Sequence, residues 1–279
     1  MSTYVSQYVL KVSGRCDLAC DHCYVYEHAD QSWRRKPKVM AEETVGQAAK
    51  RISEHAQRHF LTGVSVVLHG GEPLLLGRER LRSLLFTLRS VIDPVTRLGL
   101  TVHTNGVQLD EGLCDLFTAY GVQVGVSLDG DRAANDRHRR FADGRSSHPQ
   151  VLRALALLRR PEYRHLYAGI LCTVDVANDP LAVYEAVLAQ APPRFDLLLP
   201  HATWDTRPPG GLTVTRPTQP GSGRFTSGGS RTGARCPSGS SISCSQPGKA
   251  ARAGVRPSAW MLSTFSSSTP MAAGSRPTR

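Results

Sequence analysis

The sequence predicts an α/β protein built on a parallel sheet, and two observations support this prediction. Short apolar runs alternate with amphipathic helical segments along about the first 200 of the 279 residues. Helix-start signals also lie where the alternation requires them: Asp110 precedes one helical segment, and Asp179 followed by Pro180 precedes another. Six strand candidates in this order predict a parallel sheet that is either open and doubly wound or curved into a partial barrel.

The individual elements follow from residue spacing. The predicted strands are short runs of branched and aliphatic residues at positions 5–12, 64–68, 100–103, 122–128, 166–174 and 195–199. The predicted helices carry apolar residues three and four apart, at positions 42–59, 78–91, 110–120, 149–159 and 180–188. Cys114 and Cys172 fall within these elements, and we expect both to be core residues. His69 and His103 each end a strand, and we expect them to be buried, satisfied histidines.

The composition changes abruptly after Asp205. In residues 206–279, 43 of the 74 residues are Gly, Pro, Ser or Thr, and periodic apolar spacing is almost absent. Such a segment buries too little apolar surface to offset its chain entropy. We therefore predict an ordered domain over residues 1–205 and a disordered low-complexity tail over residues 206–279.

The net charge of +11 belongs to that tail. Residues 206–279 hold ten of the 34 Lys and Arg and none of the 23 Asp and Glu, so residues 1–205 are nearly neutral. This argues against nucleic acid as a partner of the ordered part, although a basic-tailed adaptor that binds nucleic acid stays open as an alternative. No apolar run of membrane-spanning length and no secretory signal is present, which excludes a transmembrane protein and favours the cytoplasm.

Three cysteines follow the first predicted strand within eight residues: Cys16, Cys20 and Cys23. Thiolates spaced this closely can surround one soft metal centre. Zinc is one alternative, with His22 as the fourth ligand, although adjacent residues rarely both point at one tetrahedral ion. A [4Fe–4S] cluster held by three thiolates is the other, and it leaves one iron open for chemistry.

Further motifs follow the next three predicted strands. Gly70-Gly71-Glu72-Pro73 comes after the second, Thr104-Asn105 after the third, and Ser127-Leu128-Asp129 ends the fourth. Glycines allow close backbone approach, while carbonyls, carboxylates and hydroxyls suit an ammonium group and sugar hydroxyls. In parallel α/β folds all these loops lie at one end of the sheet, so the motifs predict a single site there.

Taken together, the motifs resemble those of the radical SAM superfamily, and the resemblance covers residues 5 to about 205. It implies a partial (β/α)6 barrel that uses a [4Fe–4S] cluster and S-adenosylmethionine (AdoMet) to abstract hydrogen from a substrate. The implied cluster ligands are Cys16, Cys20 and Cys23. The implied AdoMet contacts are His22, Gly70, Gly71, Glu72, Thr104, Asn105, Ser127 and Asp129, with Gly70–Glu72 at the methionyl amino group and His22 against the adenine. No catalytic acid or base can be named.

Two loop segments narrow the resemblance, namely residues 21–28 and 136–145. They are similar to those of SPASM-type peptide maturases, and most similar to the FxsB-type enzymes that form cyclophane crosslinks in ribosomal peptides. This implies a ribosomal precursor peptide or protein as substrate and a reductant such as flavodoxin or ferredoxin as partner. Those maturases continue into a cysteine-rich domain with auxiliary clusters, whereas this tail holds Cys236 and Cys244 alone. We hypothesise a frameshift near codon 206, which would leave the chain inactive; a non-catalytic zinc-binding protein is the alternative.

Overall fold

The protein is a six-stranded parallel α/β fold, described by a computed structural model over residues 4–27 and 29–201. Its strands run in sequence order across the sheet. They are β1 (Gln7–Ser13), β2 (Gly63–Gly70), β3 (Arg97–Thr104), β4 (Val122–Ser127), β5 (Tyr167–Thr173) and β6 (Phe195–Leu198). Every neighbouring pair is parallel, so all six carboxyl ends lie at one end of the sheet.

Helices connect successive strands. They are α1 (Glu42–Arg58), α2 (Gly77–Ile92), α3 (Glu111–Tyr120), α4 (Arg132–Asn135), α5 (His148–Arg159) and α6 (Pro180–Leu188). Asp110 caps α3, because its side chain accepts a hydrogen bond from the Leu113 amide, and Asp179 caps α6 in the same way through Leu181 and Ala182. Both predicted helix starts are therefore confirmed.

The core lies between the sheet and these helices. Val66, Leu68, Val102 and Val124 on the strands are completely buried and pack in one cluster with the apolar faces of α1 to α3 and α5. Parallel crossovers are right-handed, so a consecutive strand order places every crossover helix on the same face of the sheet. This singly wound arrangement is the partial barrel, and we call the opposite, helix-free face the inner face.

The predicted fold class is confirmed, and the largest local differences concern β3 and α4. β3 begins at Arg97 rather than at residue 100, because residues 97–99 pair with Gly63, Val64 and Ser65 of β2. The short helix α4 was not predicted, because four residues are too few to show a helical period in the sequence. In the structure Asp131 caps this helix, since its side chain accepts a hydrogen bond from the Ala134 amide. Cys114 and Cys172 are fully buried in the core, as expected.

The predicted boundary after Asp205, the low-complexity tail and the two tail cysteines lie outside the described residues. The described residues all belong to one compact unit of the chain. Within residues 4–27 and 29–201, no helix is both long enough and apolar enough to cross a membrane.

Candidate metal and cofactor site

The three predicted thiol ligands lie on the loop that leaves the carboxyl end of β1. Cys16, Cys20 and Cys23 are free thiols, and all three are partly buried. The loop turns on its own backbone, since the Cys23 amide donates to the Cys20 carbonyl at 3.1 Å and the Glu27 amide donates to the Cys23 carbonyl at 2.9 Å. Tight turns of this kind keep the three side chains on one short segment of loop.

The spacing of these sulfur atoms distinguishes between the two metal centres. A tetrahedral zinc ion with Zn–S bonds of about 2.3 Å needs ligand atoms less than roughly 4 Å apart. Among the described residues, the group whose ligand atoms all lie within 4.8 Å of one another is Asp21, His22 and His138, and the three thiols do not form such a group. The three sulfur atoms are therefore not all as close together as the ligands of one zinc ion, and their arrangement does not favour zinc.

Burial determines the charge state of these thiols. Burial is the main cause that raises the pKa of Cys16 to about 12 and the pKa of Cys20 to about 11, with the nearby Arg139 guanidinium opposing the shift at Cys20. Without a metal these groups stay protonated at neutral pH. A cluster held by these residues would release their protons, and its iron would supply the positive charge that stabilises the thiolates.

The predicted Gly70–Glu72 segment packs directly on the cysteine loop. The Gly71 amide donates to the Ser13 carbonyl at 2.9 Å, and the Glu72 amide donates to the Arg15 carbonyl at 2.8 Å. A Cβ atom on Gly71 would collide with the Tyr26 hydroxyl and the Arg15 carbonyl. Both glycines are thus required for the close approach of the two backbones, because Gly70 also has a φ of +143° and lies against the Ser13 carbonyl.

The Glu72 carboxylate is fully buried and bound by protein donors. It accepts hydrogen bonds from the Thr104 hydroxyl at 2.7 Å, the Asn105 amide at 2.7 Å and the Leu74 amide at 2.9 Å. Burial raises the pKa of Glu72 to about 7, although these three donors oppose the shift. The carboxylate therefore joins the loop after β2 to the loop after β3.

Asn105 extends this connection to the cysteines. Its side-chain amide donates to the Asp17 carboxylate at 2.7 Å and lies 3.8 Å from the Cys16 sulfur. Its side-chain oxygen accepts from the Val107 amide at 2.9 Å, which fixes the turn after β3. The predicted residues Cys16, Glu72, Thr104 and Asn105 thus belong to one hydrogen-bonded set.

The predicted residues at the end of β4 differ in exposure. Ser127 is partly exposed, and its hydroxyl has no hydrogen-bond partner within the described part of the chain. Asp129 is 2% exposed; one oxygen accepts from the Thr173 amide at 2.8 Å, and the other pairs with the Arg139 Nε at 2.6 Å. The Asp129 carboxylate is therefore already bound to the protein.

Arg139 is a site residue that the sequence analysis did not single out. Burial disfavours its charge, but Asp129 and Cys20 outweigh burial, and the pKa of Arg139 is raised. It stands in a run of four basic residues, 137–140, and no local pattern tells which of the four is buried. Its position beside both Asp129 and Cys20 could be found only from the fold.

Two buried polar atoms beside the thiols have no hydrogen-bond partner in the described part of the chain: the Tyr26 hydroxyl and His22 Nδ1. The opposite nitrogen of His22 lies 4.0 Å from the Asp129 carboxylate. Burial and the Arg139 charge lower the pKa of His22, so its ring is neutral at pH 7. Such orphaned groups around Cys16, Cys23 and Gly71 fit a site that a polar cofactor completes.

The cysteine loop is also fastened to the loop after β4. The Ala19 amide donates to the Arg140 carbonyl at 2.8 Å. The His138 ring bridges two carboxylates, with Asp21 at 2.7 Å and Asp175 at 3.1 Å. The 136–145 segment, noted in the sequence for its basic character, therefore supports the cysteine loop.

Comparison with known families supports the same reading of the site. The family model described as "Radical SAM superfamily" matches residues 10–172, which is more than half of the chain. The chain belongs to the radical SAM superfamily. Radical SAM proteins use a [4Fe–4S] cluster and AdoMet, and the matched range contains all three thiols and every loop described above.

Individual relatives of this radical SAM chain include sulfatase-maturing enzymes. The serine-type anaerobic sulfatase-maturating enzyme of Klebsiella aerogenes is 33% identical over 146 residues, which are 52% of this chain and 34% of the relative. The chain spans between 34% and 40% of the lengths of the first three curated relatives it matches.

Solved structures share the radical SAM fold. The structure titled "Native anSMEcpe with bound AdoMet" superposes with a TM-score of 0.66 at 20% identity, over 83% of this chain and 63% of that one. Streptococcus suis SuiB bound to its precursor peptide SuiA superposes with a TM-score of 0.57 at 13% identity, over 83% and 48%. At these identities the likeness establishes the fold.

Proposed function

We propose that residues 1–205 form the catalytic core of a peptide maturase of the SPASM type, in which Cys16, Cys20 and Cys23 hold the cluster. The observation that carries the proposal is the continuous hydrogen-bonded set from Cys16 through Asn105 to Glu72, which brings the loops after β1, β2 and β3 to one place. Three unrelated surface turns would not be expected to be joined by buried side-chain hydrogen bonds.

In this proposal each predicted AdoMet contact has a physical task. The backbone carbonyls of the Gly70–Gly71 turn, which packs directly on the cysteine loop, receive the methionyl amino group. Ser127 offers a hydroxyl to the polar parts of AdoMet, and the neutral His22 ring stacks on the adenine. The Asn105 side chain, bonded to Asp17 and to the Val107 amide, holds the loop after β3 in position beside them.

Glu72, Thr104 and Asp129 are proposed to support the AdoMet site without being exposed in it. All three are at most 2% exposed. Their side chains are hydrogen-bonded to protein groups. They hold the surrounding loops in position, and the Arg139 guanidinium pairs with the buried Asp129 carboxylate.

When bound, the cluster and AdoMet supply one-electron hydrogen abstraction from a substrate C–H bond. The chain's own residues bury the thiols, exclude water around Cys16 and Cys20, and orient the loops on which AdoMet rests. Both contributions are present within residues 13–175.

A peptide side chain is the proposed hydrogen donor. The support is the homology to sulfatase-maturating enzymes and the structural likeness to SuiB, which is solved with a precursor peptide. FxsB-type crosslinking of a ribosomal peptide is the finer proposal, based on the two loop segments 21–28 and 136–145. A flavodoxin or ferredoxin supplies the electron, and the reaction takes place in the cytoplasm.

Anaerobic reconstitution with iron and sulfide tests the cluster. The full chain should become brown, bind about four irons, and form 5′-deoxyadenosine from AdoMet when dithionite is added. Cys20→Ala should lose both properties, because one of three thiolates is missing. Cys114→Ala is the matched control, since Cys114 is a fully buried core residue of α3, and it should retain both. A colourless protein that binds one zinc would contradict the proposal.

Isotope transfer tests the peptide. Synthetic peptides with carbon-deuterated side chains are incubated with the reduced holoprotein, and the mass of the 5′-deoxyadenosine is measured. Deuterium in the nucleoside identifies the peptide as the hydrogen donor. If deuterated peptides transfer none while AdoMet is still cleaved, the peptide assignment is wrong and the radical SAM assignment stands.

A further inference from the structure

A row of polar side chains crosses the inner face of the sheet just below the proposed AdoMet site. Successive side chains of a strand point to opposite faces. Val12, Leu68 and Val102 pack into the core beneath the helices, so their neighbours Lys11, His69 and His103 lie on the inner face. Lys11 of β1 is the register partner of His69 of β2, and the His69 and His103 rings are 6.0 Å apart.

His69 presents a hydrogen-bond donor to this face. Its Nδ1 accepts from the Gly70 amide at 2.7 Å, so the neutral ring carries its proton on Nε2. Burial and the nearby Lys11 charge lower the pKa of His69, which keeps the ring neutral at pH 7. The ring is therefore a donor and not an acceptor toward a ligand on this face.

Lys11 adds a positive charge beside that donor. Its side chain is exposed, and its ammonium group lies 5.5 Å from the centre of the Tyr24 ring. Tyr24 directly follows Cys23, the third cysteine. Lys11 forms no ion pair with any residue in the described ranges 4–27 and 29–201. Its charge is thus available to a ligand.

The acidic group of the inner face belongs to the other edge strand. Asp196 lies on β6, next to Phe195 of the core, and β6 is the last strand of the sheet order while β1 is the first. Burial raises the pKa of Asp196, and the positive charge of Arg194 opposes that shift. Asp196 therefore lies on the strand farthest from β1 in the sheet order, and the charged Lys11 ammonium stands beside the neutral donor of His69.

We propose that Lys11 and His69 bind a carboxylate of the peptide substrate and thereby select acidic peptides. Neighbouring strands are about 4.8 Å apart, so the Lys11 ammonium and the His69 Nε2–H can both donate to one carboxylate. His69 immediately precedes Gly70, and Lys11 lies two residues before Ser13, whose carbonyl binds the Gly71 amide. A carboxylate held here places its neighbouring carbon atoms directly below the proposed AdoMet loop.

This inference rests on the proposed function, and it names the substrate class that the same site accepts. The carboxylate has two chemical sources in a peptide, an Asp or Glu side chain or the carboxyl terminus. Three synthetic pentapeptides distinguish them: an acetylated and amidated peptide with a central Glu, the same peptide with Gln, and the Gln peptide with a free carboxyl terminus.

Binding of these peptides to the full chain, saturated with AdoMet, is measured by fluorescence anisotropy of a labelled acetyl group. The carboxylate peptide should bind about tenfold or more tightly than the neutral one, as expected for charge-assisted hydrogen bonds. Lys11→Met should abolish that preference. Lys50→Met is the matched control, because Lys50 is an exposed lysine on the outer helix α1, and it should keep the preference.

A second variant guards against loss of folding. His69→Gln keeps an N–H donor at the end of its side chain and should retain most of the preference for carboxylate peptides. His69→Leu should lose this preference, while its circular dichroism spectrum stays the same as that of the wild type. A preference for the Glu peptide identifies a side-chain carboxylate, and a preference for the free acid identifies the carboxyl terminus. Equal binding of the three peptides, no binding, or an equal loss in both lysine variants overturns the inference.

AdoMet itself carries a carboxylate, so AdoMet retention is measured by equilibrium dialysis in the same variants. Lys11→Met should retain AdoMet with an affinity close to that of the wild type. If Lys11→Met loses AdoMet, the pair belongs to the cofactor site and the inference is wrong. If the wild-type protein does not cleave AdoMet but discriminates the peptides, the proposed function fails and the carboxylate site stands.

Discussion

At the scale of single residues, the site depends on charges that are buried and paired. Asp129 and Arg139 are 2% and 12% exposed in their side chains and meet at 2.6 Å. The second Asp129 oxygen binds the Thr173 amide, and Arg139 also reaches the Thr173 hydroxyl at 3.5 Å. The pair therefore connects the end of β4, the loop that supports the cysteines and the end of β5.

Removing one partner of this pair should destabilise the protein strongly. Arg139→Met leaves Asp129 buried without its cation, and we expect the free energy of unfolding to fall by about 3–5 kcal/mol. Urea denaturation followed by circular dichroism measures this. Arg145→Met removes an exposed partner of Asp143 and should cost less than about 1 kcal/mol. The double variant Asp129→Asn, Arg139→Met should recover part of the loss; no recovery would show that Arg139 acts by packing alone.

His103 should make stability depend on pH. Burial, followed by His69 and Arg194, lowers the pKa of His103 to about 3. Below pH 6.5 the unfolded state takes up a proton that the folded state does not, so this histidine reduces stability as the pH falls from about 6.5 toward 3. Between pH 7 and pH 5 the loss from one such group is about 2 kcal/mol.

Replacing the ring removes this dependence. Between pH 7 and pH 5 the free energy of unfolding of His103→Gln should fall by about 2 kcal/mol less than that of the wild type. Urea denaturation at the two pH values measures this difference. His165→Gln is the control, since His165 is an exposed histidine. Equal pH dependence in the wild type and in His103→Gln would mean that the folded protein protonates His103 normally.

At the scale of elements, the turn after β2 is built from contacts that a side chain would block. Gly70 ends β2 with a φ of +143°, and a Cβ atom there would collide with the Ser13 carbonyl. The sequence predicted the turn from its two glycines and Pro73, and the 3₁₀ turn Pro73–Leu76 follows it. It could not predict which backbone the glycines approach, because β1 and β2 are separated along the chain by the cysteine loop and the whole of α1.

Two glycine-to-alanine substitutions test whether Gly70 is required for its backbone conformation and close contact. Gly70→Ala should destabilise the protein by more than about 1 kcal/mol, because both φ and the Ser13 carbonyl oppose a side chain. Gly46→Ala, in the first half of α1 with nothing within 4 Å of the new Cβ, should stabilise it by roughly 0.5–1 kcal/mol. Thermal unfolding monitored at the helix signal compares the two. Opposite shifts are expected; shifts of the same sign would contradict this account.

At the scale of the whole molecule, six strands in consecutive order leave β1 and β6 as the two edges of the sheet. The cysteine loop and the chain just after β6 meet at the carboxyl ends, where the Tyr24 and His201 rings are 5.7 Å apart. The described part of the chain therefore contains six parallel strands and the loops that carry the proposed site.

A shortened chain tests the proposed domain boundary. A protein that ends at Asp205 should unfold at the same temperature as the full chain, because it keeps β6 and its core residue Phe195, which is 3% exposed. It should also still form 5′-deoxyadenosine from AdoMet after reconstitution. A chain that ends at Pro193 loses β6 and should unfold at a clearly lower temperature. Loss of AdoMet cleavage at the Asp205 boundary would place essential residues beyond it.

The sequence by itself determined the fold class and, apart from the short helix α4, the order of strands and helices, and its motifs indicated the family. These features are local: side-chain periodicity follows from backbone geometry, and the cysteine motif and the glycine turn lie within a few residues. The caps at Asp110 and Asp179 could be predicted for the same reason.

Only the tertiary structure decided which polar residues are buried and which groups they pair with. Glu72 and Asp129 are buried and bound by protein donors, Arg139 is the buried member of a run of four basic residues, and Lys11 and His69 share the inner face. Burial and charge pairing depend on residues that are distant in the chain and close in space. A local sequence pattern contains no information about such contacts, so they could be identified only after β1 to β5 were placed side by side in the fold.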